Sequence, residues 1–560
     1  MLRHSVGRTL LFVLMGMMVF HLFGCAFGSP KLETSGTCGE NMNWEYSRSK
    51  KTLTITGTGD MVTTDRFMWS DYPIRRLVIS EGVTSIAAEA FYSNSKLKCK
   101  LELPSTIRAI GDFAFYGCEG LKGELVLPDS VETVGAYAFT DCEGITGISL
   151  SASLRSIGDE AFSSLTSAEG ELVIPDGIES IGRCAFDRCE KLRGDLILPD
   201  SLTSLGDYAF AYDGFDGTLR LSAGLEQIPA NCFCLCKSFR GDLVIPEGVK
   251  SIAEKAFSLC GFDGELSLPA GLEWIDRFAF EYCEKLNGPL SIPESVTYIG
   301  ASAFHNDEGF TSLRLPDGLQ LVCENTFRGC SGMRGTLTLP SEIVIIGDNA
   351  FALTGFEGTL ELPEGLVSVG DSAFCRCANF TALAPLPESL ENIKSEAFYG
   401  CEGLRGGVKI RDGVYSVGEH AFGGCSGITE AEFGKNVRSV GEGAFSGSDS
   451  LKSASFAGQT PDYYGTAEQD PSFPAGCAVN VSSAGQDRRS EWETAQKKPV
   501  SAEGGADYAE KTEPYYWTSS LKGKKFRGIG RFADIVLEFD DTVNPETIRV
   551  SINGRPFGET

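Results

Sequence analysis

The chain has 560 residues, 42% hydrophobic and 22% charged, enough for three or four ordinary globular domains and unlike a fully disordered chain or a collagen. Its 49 basic and 76 acidic residues leave a net charge of −27, which repels phosphate and argues against a nucleic-acid partner. Gly (66) and Phe (36) are abundant while Trp and Met are scarce, the bias of one short phrase written many times.

In chain order, Arg3 and Arg8 precede an apolar run from Thr9 to Gly24 that ends at Cys25. A basic start, a short apolar stretch and a small residue before a break predict a secretory signal over 1–25. The run is shorter than a membrane span needs, and no later segment approaches that length. Leu22-Phe23-Gly24-Cys25 resembles a bacterial lipobox, which would make Cys25 a lipidated N-terminus and the lipid the chain's sole membrane contact. Phe23 departs from that pattern, and ordinary cleavage that discards Cys25 is the alternative.

From Phe91 a Phe, usually after Ala, recurs at 115, 139, 162, 186, 210, 233, 257, 280, 304, 327, 351, 374, 398, 422 and 445, always 23 or 24 residues apart. One clean unit runs from Glu124 to Ile145. Leu125 and Leu127 alternate before Pro128, which predicts a strand of about three residues with an abrupt end. Val131 and Val134 before Gly135 predict a second short extended stretch. Gly-x-x-Ala-Phe-x-x-Cys spaces its apolar residues at helical intervals, predicting at most one helical turn. Such a unit closes no core alone. Stacked, its Leu, Val, Phe and Cys positions form continuous internal ladders, among them Phe115, Phe139, Phe186 and Phe210, and Cys118, Cys142 and Cys189. The shortened intervals lose their residue in turns, not at core positions. The predicted fold class is a repeat solenoid, a curved rod on the order of 80 Å long at the 4.8 Å strand spacing.

With these residues in view, the unit resembles the BspA-like (treponemal-type) leucine-rich repeat, L-x-I-P-x-x-V-x-x-I-G-x-x-A-F-x-x-C. Cys38 to Trp44 with Leu53 to Met61 resemble that family's β-rich N-terminal cap, and Ser453–Gly458 with Cys477–Val481 its C-terminal cap. The resemblance implies a β-strand plus a short helical turn per rung, with a cap at 36–75, about 16 repeats over 76–450 and a second cap at 451–482. It also implies export or surface display, and adhesion to host matrix proteins, host cells or other bacteria. Beyond, 483–525 is polar and rich in Ser, Gly, Glu and Lys, and reads as a linker. Residues 526–560 carry two strand-like runs, Ala533–Phe539 and Thr547–Ile552. They weakly resemble the opening of a bacterial Ig-like module, with too little chain to complete one.

Ten of the 19 Cys stand three residues after the repeat Phe. So regular a ladder implies buried free thiols, since free Cys packs as a small hydrophobe. Disulfides between rungs about 5 Å apart are geometrically conceivable, but runs of three such as Cys236, Cys260 and Cys283 cannot all pair. Cys232, Cys234 and Cys375 make Cys-x-Cys spacings with no second cluster beside them, so no metal and no cofactor is expected. After the signal only His305 and His420 remain, some five rungs apart, and both read as solvated turn residues. No phosphate loop, nucleophile elbow or calcium loop occurs. The many paired acids read as a solvated face.

What remains is surface. Strand residues between the inward Leu positions face outward, and Val126, Val173, Ile197 and Val244 make a candidate protein-binding stripe, or are β-branched simply for strand propensity. The acidic turns favour partners with basic patches. Three functions follow: a non-catalytic, monomeric surface lipoprotein binding extracellular host or bacterial protein; an envelope spacer; and a carbohydrate-active enzyme on a solenoid scaffold.

Overall fold

The computed structural model describes residues 32–63, 68–458, 463–464, 472–481, 551–552 and 555–556. The predicted signal with Cys25 and the linker 483–525 lie outside them. So does nearly all of 526–560, where Ser551–Ile552 pairs antiparallel with Arg555–Pro556.

The described residues open with strands β1 (Ser35–Thr37), β2 (Asn41–Ser47) and β3 (Thr52–Asp60) in an antiparallel meander. Met42, Trp44 and Tyr46 alternate along β2 and turn inward. β3 then starts two sheets at once. Its first half, from Thr52 to Ile55, pairs in parallel with β4 (Arg76–Ile79), and its last residues, Gly59 and Asp60, pair with β5 (Val83–Ile86).

From there each coil has three sides. The Leu-x-Leu side forms short parallel pairs, such as Gly123–Val126 with Ile145–Ser149, in which Leu125 and Ile148 are buried. Proline closes most of these strands, since it cannot donate to a ladder and its ring fixes the turn that follows. The second side consists of two-residue strands (Ala109–Ile110, Thr133–Val134, Ser156–Ile157, Ser180–Ile181, Ser204–Leu205) stacked in strict parallel register. Their second residue is buried and their first faces outward.

The third side is not helical. The residues two before and two after the core Phe adopt left-handed backbone, as at Phe113 (φ 55°) and Gly117 (φ 64°) around Phe115. These residues break the α-helical progression and leave a run of β-turns, with Ala114 N–H donating to Gly111 (3.3 Å) and Cys118 N–H to Phe115 (3.0 Å). The alternate N–H groups reach the next coil: Glu89 to Asp112, Phe91 to Ala114 and Ser93 to Tyr116, at 2.6–2.9 Å. The helical spacing of Ala, Phe and Cys was thus a packing signal, and the expected helical turn is replaced by a third inter-coil ladder.

In most coils a glycine follows the second strand and lets the coils approach closely, although Ala253, Asp276 and Lys394 make the same inter-coil bond in theirs. A Cβ at Gly135 would lie 2.6 Å from the Asp112 nitrogen in the preceding coil. Its N–H donates to the Ile110 carbonyl (2.7 Å), and Gly206 likewise to Ile181 (2.9 Å). Where Pro229 takes this place there is no N–H to offer Leu205, and the sheet ends at Ser204–Leu205, to resume at Gln227–Ile228; a second break, between Tyr298–Ile299 and Leu321–Val322, falls where Cys323 follows the strand.

A column of rings runs the length of the core, with a shorter stack of Phe215, Phe239 and Phe262 packed edge-on beside it. Phe91 through Phe445 stack with centroids 5.0–5.9 Å apart and planes within 15°. Trp69 extends the column at one end (5.2 Å) and Phe473 at the other (5.5 Å), so stacking reaches into both segments assigned to caps. Each buried Phe contributes about 1.5–3 kcal/mol. Backbone ordering costs about 1–2 kcal/mol per residue, so one coil is unstable alone and the array is stable only by sharing faces.

All ten ladder cysteines are buried and unbridged. Each thiol donates to the carbonyl of the core Phe one coil earlier, Cys118 to Phe91 (3.1 Å), Cys142 to Phe115 (3.1 Å) and Cys189 to Phe162 (3.3 Å) among them. Asn94 serves the same purpose toward Trp69 (2.7 Å) and Ser448 toward Phe422 (2.9 Å). Burial raises the thiol of Cys118 to about 12 and that of Cys142 well above its ordinary value, so both remain protonated donors at neutral pH.

Candidate binding surfaces

With every inward position used by the core, chemistry is confined to what the coils turn outward. On the Leu-x-Leu side Val126, Val173, Ile197 and Val244 are 43, 72, 50 and 55% exposed. They do not form an unbroken stripe. Ser149 pairs beside Val126, Arg220 beside Ile197 and Ser267 beside Val244, and Arg220 is held by Asp200 at 3.0 Å.

The second side carries a surface that the sequence reading passed over. Its outward row is Ala109, Thr133, Ser156 and Ser180, and with Asp112 and Asp159 at the shoulder it lines an open groove of about 640 Å³. Small side chains here leave the backbone approachable. The acids are not free reagents, because the Asp112 carboxylate accepts the Ala136 N–H and Asp159 the Arg183 N–H, both at 2.8 Å. The signal was present in the residue before Ile-Gly or Val-Gly, which is Ser or Thr in most coils of this stretch.

The turn side bears half-buried aromatics at its left-handed positions and their neighbours. Phe113 stacks on Tyr137 at 4.6 Å and Tyr92 on Tyr116 at 5.0 Å. The Tyr137 hydroxyl donates to Glu160 (3.0 Å), which Arg183 also holds (2.7 Å). His305 differs from its expected solvated state: its side chain is 13% exposed, lying 3.3 Å from Glu281 and against the Tyr282 ring. His420 occupies a left-handed turn position (φ 52°) near Tyr399. The two histidines stand on different coils and are not brought together. Among the described residues no three His, Cys, Asp or Glu gather as a ligand set.

A family profile described as a BspA type leucine rich repeat region, in six copies, matches residues 60–193, 166–287, 273–405 and 345–464. The chain belongs to this family. Among solved structures, a leucine-rich repeat protein from Bacteroides ovatus is 22% identical, with 79% of this chain and 98% of that one covered and a TM-score of 0.47. A leucine rich cell surface protein from Faecalibacterium prausnitzii is 18% identical, with coverage of 78% and 97% and a TM-score of 0.33. The pneumococcal vaccine antigen PcpA is 17% identical, with coverage of 82% and 96% and a TM-score of 0.30. No curated protein matches the sequence.

In this BspA-type solenoid, neighbouring coils are also tied at the surface by ion pairs. Arg155 meets Glu179 at 3.0 Å, Arg277 meets Glu254 at 2.8 Å, and Lys394 spans Asp348 and Asp371 at 3.3 and 3.6 Å. These pairs are largely solvated and contribute about 0–1 kcal/mol each. Their main effect is to set the charge pattern that any partner meets.

Proposed function

We propose that this BspA-type chain is an exported, surface-displayed and non-catalytic module that binds extracellular proteins, an adhesin for host matrix or cell-surface proteins or for other bacteria. The observation that supports it is the division of labour within the coil. Inward positions repeat almost unchanged, whereas outward positions on the Leu-x-Leu side vary from coil to coil and include exposed Val173, Ile197 and Val244. A surface of that kind suits recognition of an extended partner. The basic, apolar N-terminus ending at Cys25 supports export with a lipid anchor, placing the solenoid on the bacterial cell surface. The acidic character favours partners with basic patches and a salt-sensitive encounter.

The test is binding of the mature protein to an immobilised panel of extracellular-matrix proteins by biolayer interferometry, at two salt concentrations. Saturable, salt-weakened binding to at least one of them, reduced by V173S/I197S, is expected. A flat response to the whole panel overturns the adhesin reading and leaves the envelope spacer. Intact mass of the protein from its native membrane decides whether Cys25 carries acyl chains.

A further inference from the structure

The outward row of the second sheet is small or polar from Ser85 to Ser251 and again from Ser368 to Ser439. In the four successive coils between them the same position holds Trp274, Tyr298, Leu321 and Ile345. All four are half-buried. The rings of Trp274 and Tyr298 stack at 4.1 Å. Half-buried Val367 extends the apolar surface beside Ile345. The core does not need these side chains, because serine serves at the same position in the flanking coils. Large apolar groups held at a surface where serine suffices are a cost unless something covers them.

Charge says what kind of partner would do so. Glu273, Glu324 and Glu342 flank the patch and form no ion pair among the described residues; of the nearby cations, Arg277 and Lys255 are engaged by Glu254, and Lys250, whose carbonyl accepts the Glu273 and Trp274 N–H groups, turns its ammonium to the Gly271 carbonyl (3.3 Å), leaving the acids in excess. Trp274 and Tyr298 each cover one face of the other's ring, so beside Leu321 and Ile345 the patch offers ring edges and branched aliphatic groups more than a broad aromatic platform. Four coils at the rung spacing span about 15 Å, the length of four or five residues of extended chain. We propose that Trp274, Tyr298, Leu321 and Ile345 form a docking site for an extended peptide segment in which an aromatic or branched apolar residue is flanked by Lys or Arg. The site deepens the protein-binding reading above and rests on it. Trp and Tyr are the side chains that dominate binding energy when covered, and the acids supply register and salt sensitivity.

The experiment uses the full chain and two fluorescein-labelled ten-residue peptides, each with Leu and Trp at its centre, one flanked by Lys and the other by Glu. Fluorescence anisotropy is expected to show saturable binding of the Lys peptide, weaker at high salt, and none of the Glu peptide. W274S/Y298S, which installs the residue of the flanking coils and should leave the melting transition in place, is expected to weaken binding at least tenfold. Unchanged affinity in that variant, equal binding of the Glu peptide, or no binding to the wild type overturns the site. If V173S/I197S abolishes binding while W274S/Y298S retains it, the protein-binding reading stands and this site falls.

Discussion

The slot three residues after the core Phe shows what a single position must satisfy. It is buried and faces a carbonyl of the preceding coil, so it calls for a small donor, and Cys, Ser448 and Asn94 meet that need. Asp213 and Asp307 occupy the same slot. One carboxyl oxygen of each accepts a backbone N–H, from Cys189 (2.8 Å) and Cys283 (2.7 Å), and the other is buried without a partner. Burial pushes both carboxyls well above the ordinary 3.8, opposed by those N–H groups and reinforced by Asp187 and Glu190 around Asp213 and by Glu281 and Glu284 around Asp307. A proton held more tightly by the folded than the unfolded chain stabilises the fold below the unfolded value, and that contribution is lost as pH rises toward the folded one. The stabilisation these two carboxyls contribute should therefore fall as pH rises above about 4. Asp213→Asn keeps the acceptor for Cys189 and carries no charge. It should gain about 1–3 kcal/mol at pH 8 and little at pH 4. Urea denaturation of the two proteins at both pH values checks this; parallel pH profiles would count against it.

At the scale of the element, strands of two residues hold because each is bonded on both sides to an identical neighbour, so pairing is cooperative along the axis and not along the strand. Pro229 removes one donor at the first of the two breaks in this sheet. Pro229→Gly should restore an N–H facing the Leu205 carbonyl and join the sheet ending at Ser204–Leu205 to the one beginning at Gln227–Ile228. Hydrogen exchange should then show a protected amide at position 229 and slower exchange at Gln227 and Ile228. Fast exchange at all three would indicate that the break has another cause. The turn side teaches a related lesson. Ala138, Phe139 and Cys142 have helical spacing, yet Tyr137 (φ 58°) and Asp141 (φ 58°) are left-handed, a conformation that their residue types do not advertise. It is sustained by N–H groups that reach the neighbouring coil, as when Tyr137 donates to Asp159 (2.7 Å).

Across the whole molecule, stability is a sum of interfaces and the ends are the weak points. The N-terminal meander covers the first coil with a cluster of edge-on rings, Trp44 against Trp69 (6.1 Å) and Tyr72 (5.8 Å), and Tyr46 against Tyr72 (5.0 Å). Deleting residues 32–60 would bare the edges of Arg76–Ile79 and Val83–Ile86 together with their buried Leu77, Ile79 and Val83. The truncated protein should associate into soluble oligomers or aggregates that light scattering detects, where the full chain does not. A truncated chain that scatters as a monomer would show that the cap is dispensable.

The sequence by itself determined the repeat, its period, its parallel stacking and which residues are buried, because a 23- or 24-residue phrase with fixed apolar positions has only its neighbours to pack against. It identified Val126, Val173, Ile197 and Val244 as outward-facing but not that Ser149, Arg220 and Ser267 interrupt them. Tertiary structure alone decided that the Gly-x-x-Ala-Phe segment turns without coiling, that Trp69 and Phe473 complete the ring column, and that Trp274, Tyr298, Leu321 and Ile345 share one face. Those outcomes depend on hydrogen bonds and contacts between residues some 23 positions apart, and a side chain's neighbour in the next coil leaves no mark on its neighbours along the chain.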